Sequence, residues 1–248
     1  MKSDITVILT LYKTPKSKIK KLKQYKNFKT ILFDQDSDGL IKNEIKKILN
    51  FNFKYYFSSK NIGLSKSSNF LLSKVKTKYC LFTQPDILID EKSINLLKKT
   101  INIRRDVIFV APTHNKKTKS KKLNNLPKYT IVRNLKAACM LCDVNKLKKI
   151  GFFDDDFFLY WEDADLCRRL RATGDHVRYV QDATAIHRVG QSNRTARADV
   201  VRAFHASAFL YYSTHVASKP FDLKRLLARA ILNVRCFLVL IRQRFRRT

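Results

Sequence analysis

The sequence predicts an α/β domain built on a mainly parallel sheet with helices on both faces, followed by C-terminal helices. Three features predict it. Short apolar, β-favouring runs alternate with amphipathic helical segments over residues 5–150, the order of parallel βαβ units. Several of these runs end in polar residues rich in Asp, Asn, Gly or Pro, at the strand ends where such sheets bind ligands. Residues 196–248 instead repeat apolar side chains at helical spacing.

Taken in order, Ile5-Thr6-Val7-Ile8-Leu9-Thr10-Leu11 reads as a buried first strand, with Tyr12-Lys13-Thr14-Pro15 as the loop at its end. A basic amphipathic helix over 16–25 leads to a second strand, Thr30-Ile31-Leu32-Phe33, which runs into Asp34-Gln35-Asp36-Ser37-Asp38-Gly39. Carboxylates there, Asp34 and Asp36, can accept hydrogen bonds from a base or a ribose, and the same residues also suit an ordinary turn. A helix over 41–49 and a strand over 53–57 follow. The segment from Asn61 through Gly63 to Asn69 then enters another helix, its small residues leaving the backbone free to approach a ligand. Asn-x-Gly is equally plain loop and capping chemistry.

The strand over 78–83 delivers Gln84-Pro85-Asp86 at its end. Asp86 is a candidate oxygen ligand for a hard divalent ion, with a turn cap as the alternative. A strand over 108–112 precedes a polar, Lys-rich stretch over 115–128 that has no periodicity and reads as a solvated loop or a lid. A strand over 137–144 and a short helix over 145–150 complete this part.

Residues 151–166 gather an aromatic run, Phe157, Phe158, Tyr160 and Trp161, and the carboxylates Glu162, Asp163 and Asp165. A helix is expected from Glu162 to Gly174, with Arg168, Arg169 and Arg171 toward its C-terminal end. Carboxylates on its first turn meet the positive end of the helix dipole, while their mutual proximity pushes at least one pKa upward. Glu162 and Asp165 share a face and Asp163 points about 100° away, so Asp163 can be aimed at a substrate as a general base. The aromatic rings suit a floor for a sugar, or simply a packed core under an acidic helix end.

The chain carries 51 Lys and Arg against 20 Asp and Glu, a net charge of +31 that attracts phosphates of any kind. No nucleic-acid recognition motif accompanies the charge, so a specific nucleic-acid partner is not expected. Basic residues before Ile150 are almost all Lys and those after it almost all Arg, as though the halves had different origins. Cys139 and Cys142 form a Cys-x-x-Cys without a second pair, inside a predicted strand, which favours buried thiols over zinc or redox use. No cleavable signal pattern or uninterrupted membrane span is found, so a cytoplasmic protein is expected. Over 196–248, Val200, Val201, Phe204, Ala208, Phe209, Tyr211 and Tyr212 suggest one helix, and residues 226–240, studded with Arg, a second after Pro220. Such a helix either lies on an anionic membrane surface or packs on the domain.

Trp161-Glu162-Asp163-Ala164-Asp165-Leu166 resembles the Trp-Glu-Asp-x-Asp-Leu segment of family 2 glycosyltransferases, in particular the rhamnosyltransferase-like branch that builds bacterial surface polysaccharides. The resemblance continues through Cys167-Arg168-Arg169-Leu170, Gly174, Val177-Arg178-Tyr179-Val180 and Ile186-His187-Arg188-Val189-Gly190-Gln191-Ser192, and covers roughly residues 5–192. It implies a nucleotide-diphospho-sugar transferase fold of the GT-A type. It further implies metal-dependent, inverting transfer of a hexose, with rhamnose favoured, from a dTDP- or UDP-linked donor to a hydroxyl of a glycan or lipid-linked acceptor.

By the same resemblance Asp163 is the base, and Asp86 and His187 hold Mg²⁺ or Mn²⁺. Tyr12, Asp34, Asp36, Asn61 and Gly63 border the donor nucleotide, Trp161, Glu162 and Asn69 contact the substrate, and Arg188 and Arg194 meet the diphosphate. Gln84 stands where the family's Asp-x-Asp has its first carboxylate. The implied layout is a catalytic domain over 1–195, with a nucleotide and metal half at 1–115 and an acceptor and base half at 130–195, then Arg-rich amphipathic helices over 196–248. The alternatives are a catalytically inactive member scaffolding an assembly on the cytoplasmic face of the inner membrane, and a nucleic-acid-binding protein.

Overall fold

The computed structural model describes residues 4–35, 37–103, 106–114, 129–135, 138–187 and 198–245. Among them, one mixed sheet contains β1 (Ile5–Tyr12), β2 (Lys29–Gln35), β3 (Phe53–Ser58), β4 (Tyr79–Thr83), β5 (Ile87–Ile89), β6 (Val107–His114), β7 (Tyr129–Val132), β8 (Cys139–Asp143) and β9 (His176–His187). The strand order is β3-β2-β1-β4-β8-β6-β9-β5, with β7 also paired to β9. β3, β2, β1 and β4 run parallel, β8 is antiparallel between β4 and β6, and β9 is parallel to β6. Because β1 feeds β2 on one side and is flanked by β4 on the other, a crevice opens at the carboxyl ends of these strands.

The helices are α1 (Lys16–Lys21), α2 (Lys42–Leu49), α3 (Leu64–Ser73), α4 (Glu91–Ile103), α5 (Val144–Lys149), α6 (Glu162–Ala172), α7 (Ala198–His215) and α8 (Leu223–Phe245). The helix expected over 16–25 divides into α1 and a 3₁₀ turn, Leu22–Tyr25. Four elements had no sequence expectation: α4, β5, β7 and β9. β5 has only three residues, and over its second half β9 alternates buried Ala183 and Ala185 with exposed Asp182, Thr184 and Ile186, so neither forms an apolar run. The stretch 115–128 lies outside the described residues.

β1 is buried on both faces, as a central parallel strand should be. Val7, Leu9 and Leu11 join a core with Ile94, Leu97, Val180 and Ala185, while Ile8 on the other face joins Ile31, Phe82, Leu166, Leu170 and Val177. Both cores draw on the Lys-rich and the Arg-rich parts of the chain, which therefore share one interior. Cys139 and Cys142 are free and fully buried in β8, and burial pushes the Cys139 thiol up to about 12.

Candidate active site

The crevice holds a cavity of about 560 Å³ lined by Tyr12, Lys13, Thr14, Pro15 and Lys18 after β1, Gln35 at the end of β2, Asn61, Gly63 and Leu64 before and within α3, and Gln84, Pro85 and Asp86 after β4. Phe158 and Leu159 close one wall, and α7 supplies Asp199, Val200 and Ala203. The expected boundary near residue 195 thus does not separate the cavity from the C-terminal helices. Of the predicted residues, Tyr12, Asn61, Gly63 and Asp86 line it.

Asp86 meets His187 through strand register. β5 pairs antiparallel with β9, setting Ile87 opposite His187, so that Asp86 Oδ1 comes 3.8 Å from His187 Nε2 although a hundred residues separate them. The other oxygen, Oδ2, accepts a hydrogen bond from Lys18 Nζ at 3.2 Å. Oδ1 is buried and has no hydrogen-bond partner among the described residues. A buried carboxylate oxygen left open beside an imidazole nitrogen fits a divalent cation, whose shell tolerates two protein ligands when diphosphate oxygens and water supply the rest. Among the described residues no group of three His, Cys, Asp or Glu side chains could hold an ion alone, and Gln84 puts an amide where a further carboxylate was possible.

The acidic turn of α6 is split by burial. Glu162 is 4% exposed, its Oε2 has no hydrogen-bond partner among the described residues, and it lines a smaller cavity of about 30 Å³ together with Thr10, Leu64 and Gln84, all three of which also line the main cavity. Burial, and secondarily the neighbouring Asp163 carboxylate, push the Glu162 carboxyl up from 4.5 to about 8, as expected for a desolvated acid. Asp163 is half-buried, accepts a hydrogen bond from Ala164 N at 2.8 Å, and is not among the residues lining the main cavity. Asp165, buried, accepts from Arg169 Nε at 2.9 Å and from His215 Nε2 at 2.7 Å. Arg169 also donates to the carbonyls of Ile150, Gly151 and Phe152, tying the start of the acidic stretch to α6.

Several predicted residues do other work. Tyr160 and Trp161 both have φ of +68°, a left-handed conformation that non-glycine residues adopt at a cost. Their rings hold it: Trp161 packs on Tyr211 and Phe204 of α7, and Tyr160 on Phe204, with centroids 5.2–6.0 Å apart. Of the aromatic run expected to floor a sugar, Phe158 reaches the cavity, while Tyr160 and Trp161 pack on α7. Asp34 is buried and accepts from the Tyr55 hydroxyl at 2.8 Å; side chains alternate along β2, so Gln35 lines the cavity in its place. Asn69 clamps the acidic stretch, donating to Phe153 O and Asp155 Oδ1 and accepting from Phe153 N. Gly63, at φ +87°, lets the start of α3 touch the 158 segment: an added Cβ would lie 2.6 Å from Phe158 O, and Leu64 N donates to that same oxygen at 2.7 Å. The close backbone approach expected at Gly63 is thus made to the protein itself.

Asp36, Arg188 and Arg194 lie outside the described residues. Lys18, Gln35 and His215 were not anticipated. Lys18 was hidden among the many lysines of a basic helix, and His215 lies far from any motif, so its partner Asp165 gives no sequence signal of it.

A family model for glycosyl transferase family 2 matches residues 9–168, from β1 to the middle of α6. The chain belongs to that family. It is 24% identical over 204 residues to a rhamnosyltransferase, WbbL, of Escherichia coli K12, a match spanning 67% of this chain and 77% of the relative. An N-acetylglucosaminyl-diphospho-decaprenol L-rhamnosyltransferase of Mycobacterium tuberculosis is 31% identical over 77 residues, 31% of this chain and a quarter of the relative. Among solved structures, a mannosyltransferase of Pyrobaculum calidifontis in complex with GDP-Man and Mn²⁺ superposes with a TM-score of 0.63 at 13% identity, covering 94% of this chain and 70% of the other. The fold is of the GT-A type, and the expected family and fold both hold.

Proposed function

We propose that the chain is an inverting glycosyltransferase that moves a sugar, with rhamnose favoured, from a nucleoside-diphosphate donor to a hydroxyl of a glycan or lipid-linked acceptor. The observation that carries this reading is the meeting of Asp86 and His187 beside the strand-end cavity, with Lys18 on the carboxylate and the acidic turn of α6 adjoining through Glu162. Rhamnose, a dTDP- or UDP-linked donor and a lipid-linked acceptor are supported by the two rhamnosyltransferase relatives, one of which is named for a decaprenol-linked substrate. The reaction is placed in the cytoplasm, peripheral to the inner membrane. Among the described residues no helix is long and apolar enough to cross a membrane.

In this mechanism the donor nucleoside lies between Tyr12, Gln35 and Asn61, and its diphosphate runs toward Asp86. Mg²⁺ or Mn²⁺ held by Asp86 and His187 would neutralise the charge that develops on the departing diphosphate. Lys18, already on Asp86, can share its ammonium with the same phosphates. Glu162, neutral at pH 7 by its raised pKa, donates a hydrogen bond to a substrate hydroxyl. Asp163 takes the proton of the acceptor hydroxyl as that oxygen attacks the anomeric carbon from the face opposite the diphosphate. The new glycosidic C–O bond forms while the bond to the diphosphate breaks.

Calorimetry and thermal shift with UDP-, dTDP- and GDP-sugars, each with and without Mn²⁺ or Mg²⁺, test the reading. Metal-dependent stabilisation by one nucleotide is expected, and is lost in Asp86→Ala. A protein that responds to none of these donors is not a transferase of this kind, and the inactive scaffold reading takes its place.

A further inference from the structure

α8 differs from every other long helix of the described structure in having no buried residue over its 23 residues. It packs along α7, where Arg225 and Arg229 set their guanidinium groups over the Phe209 ring at 5.9 and 5.6 Å. Half-buried residues, among them Ala228, Leu232, Cys236 and Val239, recur at helical spacing along the side toward α7. On the opposite side Leu227, Ile231, Val234, Leu238 and Ile241 are between 36% and 65% exposed, and at 100° per residue they fall within an arc of about 80°. Phe237, 62% exposed, widens the same stripe.

One border of this stripe is basic along its length. Lys224, Arg235 and Arg242 project along one edge and Arg244 stands beyond Phe237 on the other, and the sequence from Leu223 to Thr248 contains no acidic residue. An apolar face facing water over so long a helix needs a partner. The spacing of four, three, four and three residues from Leu227 to Ile241 would also suit a seam between two copies of the chain. Two copies, however, would bring this basic helix against an equally basic one with no carboxylate on either to answer Lys224, Arg235 and Arg242, where paired helices place opposite charges. A negatively charged lipid surface answers both features at once, taking up the apolar stripe and meeting the arginines with headgroup phosphates.

We propose that α8 is an interfacial helix that lies in the headgroup layer of an anionic bilayer, its Leu227–Ile241 stripe inward and its arginines at the phosphates. The surface, and not the sugar chemistry, carries this inference, so it stands or falls apart from the donor assignment. Because α8 packs on α7, and α7 lines the cavity, docking there also fixes the cavity's distance from the membrane.

Flotation of the full chain with phosphatidylcholine vesicles and with phosphatidylcholine–phosphatidylglycerol vesicles tests it, without donor or acceptor present. Binding to the anionic vesicles is expected, weakened by salt and absent from the neutral ones. The double variant Ile231→Ser with Leu238→Ser should lose on the order of tenfold or more in partitioning, and Arg235→Gln with Arg242→Gln about tenfold on anionic vesicles only. All four positions lie on α8, which has no buried residue, so both variants should keep the parent's melting temperature and donor binding. Absence of binding to anionic vesicles, or binding unchanged in both variants, overturns the proposal. A concentration-dependent dimer in sedimentation that the Ile231→Ser and Leu238→Ser changes abolish, with no vesicle binding, assigns the stripe to a second copy instead.

Discussion

Glu162 and Asp165 lie one turn apart on the same buried face of α6, yet their surroundings are opposite. Asp165 is held by Arg169 on its own helix and by His215 at the end of α7, and Arg168 reinforces the joint by donating to His215 O at 2.7 Å. Glu162 faces a small cavity with one oxygen unpartnered among the described residues and is pushed up to about 8. Two carboxylates equivalent in sequence are thus divided by residues distant in the chain: one joins α6 to α7, and the other stays protonated and open toward the cavity. Asp86 stands between them, one oxygen on Lys18 and the other open.

The largest stability effect expected from this contrast is at Asp165. Asp165→Ala would leave the buried side of Arg169 and His215 unpaired, and breaking a buried pair in this way costs roughly 3–5 kcal/mol. Urea unfolding measures it, and a loss well under 1 kcal/mol would remove Asp165 from its anchoring role.

Glu162→Gln should act in the other direction. Between pH 4.5 and 8 the folded Glu162 keeps a proton that the unfolded chain releases, so the native state binds more protons and its stability falls as pH rises through that window. Replacing the carboxyl with an amide removes this slope, for a gain on the order of a few kcal/mol above pH 8 and little change near pH 4. Thermal melts across pH 4–9 show whether the slope disappears; parallel curves for parent and variant would mean that Glu162 is not held neutral.

Lys18→Met tests the intermediate case and should be mildest for folding. The Lys18 and Asp86 side chains are both partly accessible, so the fold should lose less than about 1 kcal/mol. Donor affinity should fall on the order of tenfold as a phosphate-facing ammonium is removed. Unchanged donor affinity would confine Lys18 to holding Asp86.

Much of the frame was legible because its strands are continuous apolar runs: β1 to β4 and β8 fall where the pattern put them, and the strand-end residues Tyr12, Asn61, Gly63 and Asp86 reach the cavity together. β9 was not legible. Polar residues alternate along it, and its register with β5, which brings His187 to Asp86, is set by pairing across the sheet. At Asp34 the error was one of parity, since a strand turns successive side chains to opposite faces and Gln35 took the cavity side. Trp161 looked like substrate-binding chemistry because its partners, Phe204 and Tyr211, come from a helix forty or more residues on. The two C-terminal helices were both visible by period, but period does not tell which one the domain covers: α7 buries Val201, His205 and Ala208, and α8 buries nothing.

The account assigns proton removal to Asp163 and a neutral, hydrogen-bonding role to Glu162, and one comparison tests that division most directly. Single-turnover transfer would be measured with donor saturating, for Asp163→Asn and Glu162→Gln side by side, with donor binding followed by calorimetry. The account predicts that Asp163→Asn binds donor as the parent does and loses transfer by roughly 10²–10⁴-fold, while Glu162→Gln, still able to donate a hydrogen bond, loses far less. Full transfer by Asp163→Asn together with its loss in Glu162→Gln would contradict it and make the buried Glu162 the base.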